Sequence, residues 1–295
     1  MRISVVIPHY GDPETTMPLV RALLPQRPHQ LIVSDDCSPV PFPQTEGVQV
    51  IRRERNGGFG SAVNTGAAAA TGDWLLVLNS DLEVSPSFLT DLVEAATPWM
   101  PAVIGPRVLD PDGRPAFTAR RFPAVSHQVI EWLTPLARFR DTRWWHRGVG
   151  HEPVRDAPMP TDWLVGAALL LPLDCFREVG GFDEGYFMNV EEVDLQRRLA
   201  RLGVPRVWLP QPRVVHEGGG SSDPERQREW LMSSRLRYVG IWGGRRRLQA
   251  ALTAAAAANL LWNTVRAGLG RQVAPIRTAR QELGLIWRAG RTPGA

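Results

Sequence analysis

The first hundred residues alternate between short apolar runs and stretches with helical spacing. Residues 3–7 form a β-branched run, the pattern of a buried strand. Residues 13–24 place Met17, Val20, Leu23 and Leu24 at helical spacing. Apolar runs at 31–33, 48–51 and 74–78 predict three more strands. An alanine-rich stretch, 61–70, predicts a helix, and so does 86–96, with Pro86 in its first turn. This alternation implies an α/β fold with a mainly parallel sheet covered on both faces. In such folds ligands bind beyond the carboxyl ends of the strands. The polar residues found there are His9, Tyr10, Asp35, Asp36, Asn79 and Asp81.

The pattern weakens over residues 102–160, which are rich in Arg, Pro and Trp and predict loops with one helix near 126–139. Residues 162–171 then read as one strand, followed by a helix from Asp174. A helix is predicted over 191–202, a strand over 204–209 stopped by Pro210, and a strand-like run at 213–215. Residues 225–239 are amphipathic, and 241–295 read as a basic helical extension.

Composition narrows the class. The 295 residues are 43 % hydrophobic and 22 % charged, as in an ordinary globular protein of one large domain or two small ones. Cys37 and Cys175 are too few for a zinc site or a disulfide framework and read as free thiols in a reducing compartment. Every basic residue is arginine, which excludes a phosphate-clamping P-loop lysine and Schiff-base chemistry. From Gly240 onward nine arginines face one acid, Glu282, so the tail is basic and the first 239 residues are net −4. Such a tail calls for an anionic partner: lipid, nucleic acid or a phosphorylated substrate. The start, MRISVVIPHY, is not a signal peptide, because its apolar run stops at Pro8. No run reaches the roughly 20 strongly apolar residues of a spanning helix. The expected location is the cytoplasm.

Several clusters carry candidate chemistry, each beside a structural alternative. Asp35-Asp36 can accept from a pyrimidine imide or ribose hydroxyls, or simply cap a turn. Asn56-Gly57-Gly58-Phe59-Gly60 precedes a helix, where backbone N–H groups can approach a phosphate. It lacks the GxGxxG fingerprint, which argues against a dinucleotide enzyme. Asp81 can bind a divalent cation or cap a helix; Asn79 offers at most a neutral carbonyl. Glu191, Glu192 and Asp194 crowd three carboxylates into four residues. On a helix the two glutamates flank the apolar stripe of Leu195, Leu199 and Leu202, while Asp194 points away toward Arg197, Arg198 and Arg201. A carboxylate beside apolar surface suits a general base; acids at a helix N-terminus are also simply favourable. His216, before Gly218, is a ligand candidate or a structural histidine.

Taken in order, these segments resemble the inverting family 2 nucleotide-sugar glycosyltransferases, most clearly the rhamnosyltransferase-like branch. The matching pieces are Val5-Val6-Ile7-Pro8-His9-Tyr10, Val33-Ser34-Asp35-Asp36-Cys37-Ser38, and Asn56-Gly57-Gly58-Phe59-Gly60 with Asn64-Thr65-Gly66. Leu78-Asn79-Ser80-Asp81, the segment from Gly180 to Leu195 with Arg197-Arg198, and His216 complete the set. The resemblance spans roughly residues 1–240. It implies a GT-A fold, with a nucleotide-sugar-binding half at 1–100 and an acceptor-binding half at 101–240.

The resemblance also implies roles. Pro8, His9, Tyr10, Asp35, Asp36, Asn56, Gly57, Gly60, Asn64 and Asn79 would form the nucleotide side. Asp81 and His216 would hold Mg²⁺ or Mn²⁺ on the diphosphate. Glu192, with Glu191 beside it, would deprotonate the acceptor hydroxyl. Asp162, Trp163 and Gly166 would line the acceptor side. The implied donor is a dTDP- or UDP-sugar, with dTDP-L-rhamnose suggested by the branch. The implied acceptor is a cell-envelope glycan or a polyprenyl-diphosphate-linked sugar. The arginine tail would make a peripheral contact at the inner face of the plasma membrane. No specific nucleic acid partner is implied, because the tail has no interleaved aromatics; an oligomer is left open. Two departures stand out: glutamate at 192 and asparagine at 79, where the wider family has aspartate. They sustain an alternative, a catalytically degenerate nucleotide-sugar-binding protein of the same fold.

Overall fold

The computed structural model describes residues 1–218 and 224–288. They divide into two compact units. One comprises residues 1–120 and 153–218; the other, residues 121–152 and 224–288.

The first unit is built on a nine-stranded sheet. Its elements begin β1 (Ile3–His9), α1 (Met17–Leu23), β2 (Gln30–Asp35), β3 (Gln49–Arg52), α2 (Phe59–Ala69) and β4 (Trp74–Leu78). There follow β5 (Leu82–Val84), α3 (Phe88–Ala96), β6 (Val103–Leu109) and β7 (Ala119–Arg120). After the segment that belongs to the second unit come β8 (Met159–Pro160), β9 (Trp163–Leu164), β10 (Ala168–Pro172), α6 (Leu173–Glu178), α7 (Glu191–Arg201) and β11 (Arg206–His216). The strand order is β3-β2-β1-β4-β10-β6-β11-β5, with β8 on β11.

The strands β3, β2, β1 and β4 are all parallel, as the early alternation predicts. Residues 3–9 of β1 are buried throughout, the mark of a strand covered on both faces. Side chains alternate between the faces. Ile3, Val5 and Ile7 pack with Leu19, Leu23, Phe88 and Leu92 of α1 and α3. Val6 packs on the other face with Val63 and Ala67 of α2 and with Leu195 and Leu199 of α7. A Cβ on Gly66 would stand 2.5 Å from Val6 Cγ1, so glycine lets α2 lie directly on β1.

The later half of the sheet departs from simple alternation. β10 runs antiparallel between β4 and β6, and the sheet becomes mixed. Two expectations are corrected here. The single strand expected over 162–171 is two: β9 pairs with β7, the chain turns at Gly166, and only then does β10 join the main sheet. The strand expected to stop at Pro210 continues to His216. β11 pairs with β6 as far as Trp208 and again from Arg213, and the register shift between absorbs two prolines that cannot donate to the ladder.

The second unit is helical: α4 (Val125–Trp132), α5 (Arg143–Gly148), α8 (Pro224–Trp242), α9 (Arg245–Gly268) and α10 (Pro275–Arg288). The helix α5 was not expected in the weakly patterned middle; Thr142 caps it by accepting from Trp145 N at 3.2 Å. Asn259 is buried and ties three segments together. Its amide donates to Trp132 O (3.0 Å) and Glu282 Oε1 (3.1 Å), and its oxygen accepts from Thr134 N (2.8 Å). Residue 240 lies within α8. Among the described residues no helix is long and apolar enough to cross a membrane.

Candidate active site

The residues singled out in the sequence gather at the carboxyl ends of the parallel strands and on the loop leading into α7. They form two chemically different groups.

On the side of β1 and β2 the acids are saturated by the protein itself. Asp35, at the end of β2, is fully buried. It accepts from Ser38 N (2.8 Å), Phe42 N (3.1 Å) and Arg52 Nη1 (2.5 Å). Burial raises its pKa, but the Ser38, Phe42 and Arg52 hydrogen bonds outweigh that and hold it below the usual carboxylate value. Asp36 accepts from Gly57 N (3.0 Å), Gly58 N (2.7 Å) and the Arg53 guanidinium. Asn56 Oδ1 also accepts from Gly58 N at 3.1 Å. The loop before α2 therefore wraps around the Asp36 carboxylate.

His9 is buried at the end of β1, with Nδ1 2.7 Å from Thr16 Oγ1 and its ring edge against Phe42. Burial lowers its pKa, and its Nε2 has no hydrogen-bond partner. Tyr10 next to it is half exposed.

The glycine loop is pressed against the segment that precedes α7. Gly58 has φ +84°, and a Cβ there would lie 1.8 Å from Phe187 O, so only glycine fits. A Cβ on Gly60 would meet Phe182 at 2.9 Å, and Phe59 stands edge-on to Phe182 with ring centroids 5.7 Å apart. Asn64 closes the clamp by donating to Phe182 O (2.9 Å) and accepting from Phe182 N (2.8 Å). The loop before α2 and the segment around Phe182 thus form one structure, although 118 residues separate Asn64 from Phe182.

At the end of β4, Asn79, Asp81 and His216 meet. His216 Nε2 lies 3.1 Å from Asp81 Oδ1 and 3.3 Å from Asn79 Nδ2. β5 creates this contact by pairing antiparallel with the end of β11, so that Leu82 faces His216. Burial raises the Asp81 pKa, and His216 more than compensates, leaving it lowered. Asn79 Oδ1 is buried without a partner. An imidazole, a carboxylate and an orphaned carbonyl form an N/O donor set that suits a hard divalent cation completed by phosphate and water oxygens.

The glutamates are the opposite of the aspartates. Glu191 and Glu192 open α7, and each has a buried oxygen with no hydrogen-bond partner. Burial raises both pKa values; in Glu191 the Glu192 charge adds to it, and in Glu192 Arg120 pulls the other way. Glu191 is the more strongly raised. Val190, just before them, sits at φ +72°, a conformation costly for a β-branched residue.

The segment 162–167 joins the two ends of the site. The Gly166 Cα faces Glu192, where a Cβ would come within 3.5 Å of its side chain, and the next residue's Ala167 O accepts from Asn79 N at 2.8 Å. Trp163 is buried under the Arg120 guanidinium, 5.4 Å from its ring centroid. Asp162 O accepts from Arg206 Nε at 2.9 Å. Asp194 pairs with Arg198 at 2.8 Å, as its place on the arginine face of α7 predicts, and is buried there. Arg198 also donates to the carbonyls of Val179 and Gly181, so this polar side of α7 is packed against a turn.

Sequence reading missed Arg120 and Gln196. Gln196 is fully buried; its side chain accepts from Leu164 N (2.8 Å) and donates to Leu164 O (2.7 Å), fixing α7 against β9. An internal polar residue on the apolar stripe of α7 was the available signal. Arg120 had none.

An α/β sheet of this order, with a carboxylate–histidine pair at its switch point and an acid pair on the facing helix, defines a glycosyltransferase of GT-A fold. Residues 4–164 match the family described as Glycosyl transferase family 2, and the chain belongs to that family and is a hexosyltransferase. It is 31 % identical over 218 residues to N-acetylglucosaminyl-diphospho-decaprenol L-rhamnosyltransferase of Mycobacterium tuberculosis, covering 68 % of this chain and 70 % of that protein. The mannosyltransferase PcManGT from Pyrobaculum calidifontis, solved with GDP-Man and Mn²⁺, shares the fold at TM-score 0.57 and 16 % identity, over 98 % of this chain and 85 % of that one. GalNAc-T7, solved with UDP, GalNAc and Mn²⁺, superposes with TM-score 0.59 at 19 % identity over 87 % of this chain, which spans 51 % of that chain.

Proposed function

We propose that this glycosyltransferase moves L-rhamnose from a dTDP-linked donor to a hydroxyl of a polyprenyl-diphosphate-linked or cell-envelope glycan, with inversion. The observation that carries the reading is the continuity of Gly166 and Ala167: Gly166 faces the Glu192 side chain, which a Cβ there would meet at 3.5 Å, and Ala167 O accepts from Asn79 N. The relative from Mycobacterium tuberculosis, by its name a rhamnosyltransferase for a decaprenol-linked acceptor, supports donor and acceptor class.

Glu192 takes the acceptor proton. The Arg120 charge favours its ionised form against the effect of burial. Burial raises its basicity against the backbone N–H groups at the start of α7, and one of its oxygens has no hydrogen-bond partner. Asp162, Trp163 and Gly166 shape the acceptor side, and Gly166 leaves open the space beside the Glu192 side chain.

On the donor side, Pro8, His9 and Tyr10 end β1 beside the base. Asn56, Gly57 and Gly60 present the loop before α2. Asp35, Asp36 and Asn64 act there through the loops they hold, since their polar atoms already have partners in the protein. Asp81 and His216, with Asn79 Oδ1, would hold Mg²⁺ or Mn²⁺. When bound, the cation neutralises the departing diphosphate. Work on a lipid-linked acceptor, together with the basic tail, supports a cytoplasmic protein held peripherally at the inner face of the plasma membrane.

Calorimetric titration with dTDP, UDP, GDP and ADP, each with and without Mn²⁺, tests the donor site on wild type and Asp81→Ala. Binding of one pyrimidine diphosphate that needs both metal and Asp81 is expected. Binding that ignores metal and Asp81 would overturn the proposed metal site.

A further inference from the structure

The helices α9 and α10 carry an apolar surface that nothing in their unit covers. From Leu248 to Val265 the chain has no charged residue. One side of α9 is buried through Leu248, Leu252, Ala255, Ala256, Asn259 and Asn263. Its other side would ordinarily be charged. Instead Leu261, Val265 and Leu269, spaced i, i+4, i+8, are 71 %, 57 % and 76 % exposed. On α10, Ile276, Leu283 and Trp287 follow i, i+7, i+11 and are also exposed. Trp287 Nε1 donates to Thr253 Oγ1 of α9 at 3.2 Å, which ties the α10 stripe to the uncharged flank of α9.

Cations stand at the ends of this surface and along it. Arg245, Arg246 and Arg247 open α9, Arg266 and Arg271 follow its apolar stretch, and Arg277 and Arg280 lie on α10 near its stripe. The only acid after Gly240 is Glu282, which is partly buried and bonded to Asn259. From this we infer that α9 and α10 form an interfacial docking face for an anionic lipid bilayer. The helices lie in the plane of the membrane surface, their leucines and Trp287 in the acyl boundary and their arginines among the head groups.

Charge decides between a bilayer and a second copy of the chain. Two copies meeting here would set arginine against arginine, with no acid to separate them. A nucleic acid would leave the apolar stripes in water. A bilayer with anionic head groups satisfies both components, and no helix needs to cross it. The inference deepens the proposed work at the inner membrane face, but it rests on neither the donor nor the metal.

Flotation of the full chain with vesicles tests it, using phosphatidylcholine alone and phosphatidylcholine mixed with phosphatidylglycerol. Wild type is expected to bind the mixed vesicles at least about tenfold more tightly. Leu261→Asp with Leu269→Asp should abolish binding, and Arg277→Gln with Arg280→Gln should weaken it several-fold and reduce the salt dependence. Thermal melting and nucleotide titration on the same proteins should be unchanged, which separates failure of this face from failure of the donor site. Vesicle binding that ignores Leu261 and Leu269, or no binding by wild type, overturns the inference. So does a wild-type dimer, seen by sedimentation without lipid, that the leucine variants dissociate; the face would then be a self-interface.

Discussion

Two pairs of adjacent acids in the first unit, Asp35-Asp36 and Glu191-Glu192, have opposite environments. Asp35 and Asp36 are buried, yet backbone N–H groups and arginines fill their oxygens. Glu191 and Glu192 are buried with an oxygen each left unsatisfied. Burial is common to both pairs and so cannot explain the difference. The supply of donors does. A carboxylate whose two oxygens are both met by donors is a brace for a loop; one buried with an oxygen left unmatched has its charge destabilised and its basicity raised. The first kind holds structure together, and the second is available to take a proton.

The comparison can be broken most sharply at Glu192. Glu192→Gln should lower kcat by about 10³-fold, within the usual range for a general base, with donor affinity unchanged by calorimetry. A kcat within a few-fold of wild type would remove Glu192 from the chemistry. Next in size is the brace. Asp36→Ala leaves the Gly57 and Gly58 N–H groups and the Arg53 guanidinium without their acceptor, and should cost about 3–5 kcal/mol by denaturant unfolding. If instead stability holds and only nucleotide affinity falls, Asp36 is a ligand contact and the contrast fails.

The two pairs should also respond oppositely to pH. The Asp35 pKa is lowered on folding, so its contribution is present above the unfolded value of 3.8 and is lost as pH falls through the folded value. The glutamate pKa values are raised, so the folded state binds more protons than the unfolded one above 4.5, and stability falls as pH rises from there. Glu191→Gln should flatten that upper slope in unfolding curves recorded across pH. The smallest expected effect is at Arg120. Arg120→Leu removes a charge that lowers the Glu192 pKa, so the acidic limb of the kcat profile should move to higher pH. An unmoved limb would mean that Arg120 serves only to cover Trp163.

Much of this was legible in the chain. Buried strands announce themselves as unbroken apolar runs, and β1 and β4 fall where those runs lie. Gly58 and Gly60 were visible as a glycine loop before a helix, but their reason for being glycine is Phe187 and Phe182, more than 120 residues away. Asp194 was placed on the arginine face of α7 and pairs with Arg198 there, but helical spacing alone cannot report the turn at 179–181 that packs on this face. Pro210 was read as a stop because a local rule cannot anticipate a strand that re-pairs beyond it.

By itself the sequence determined the local terms: which segments are strand or helix, which loops end in acids, and that the tail is basic. These depend on neighbours a few residues apart. Only the tertiary structure decided which acids are satisfied, because the donors to Asp36 and the partners of Asp81 come from distant segments. His216 reaches Asp81 because β5 pairs with the end of β11, and Ala167 reaches Asn79 because β10 enters the sheet beside β4. Hydrogen-bond satisfaction and burial belong to the packed chain, and the basicity of the glutamates follows from both.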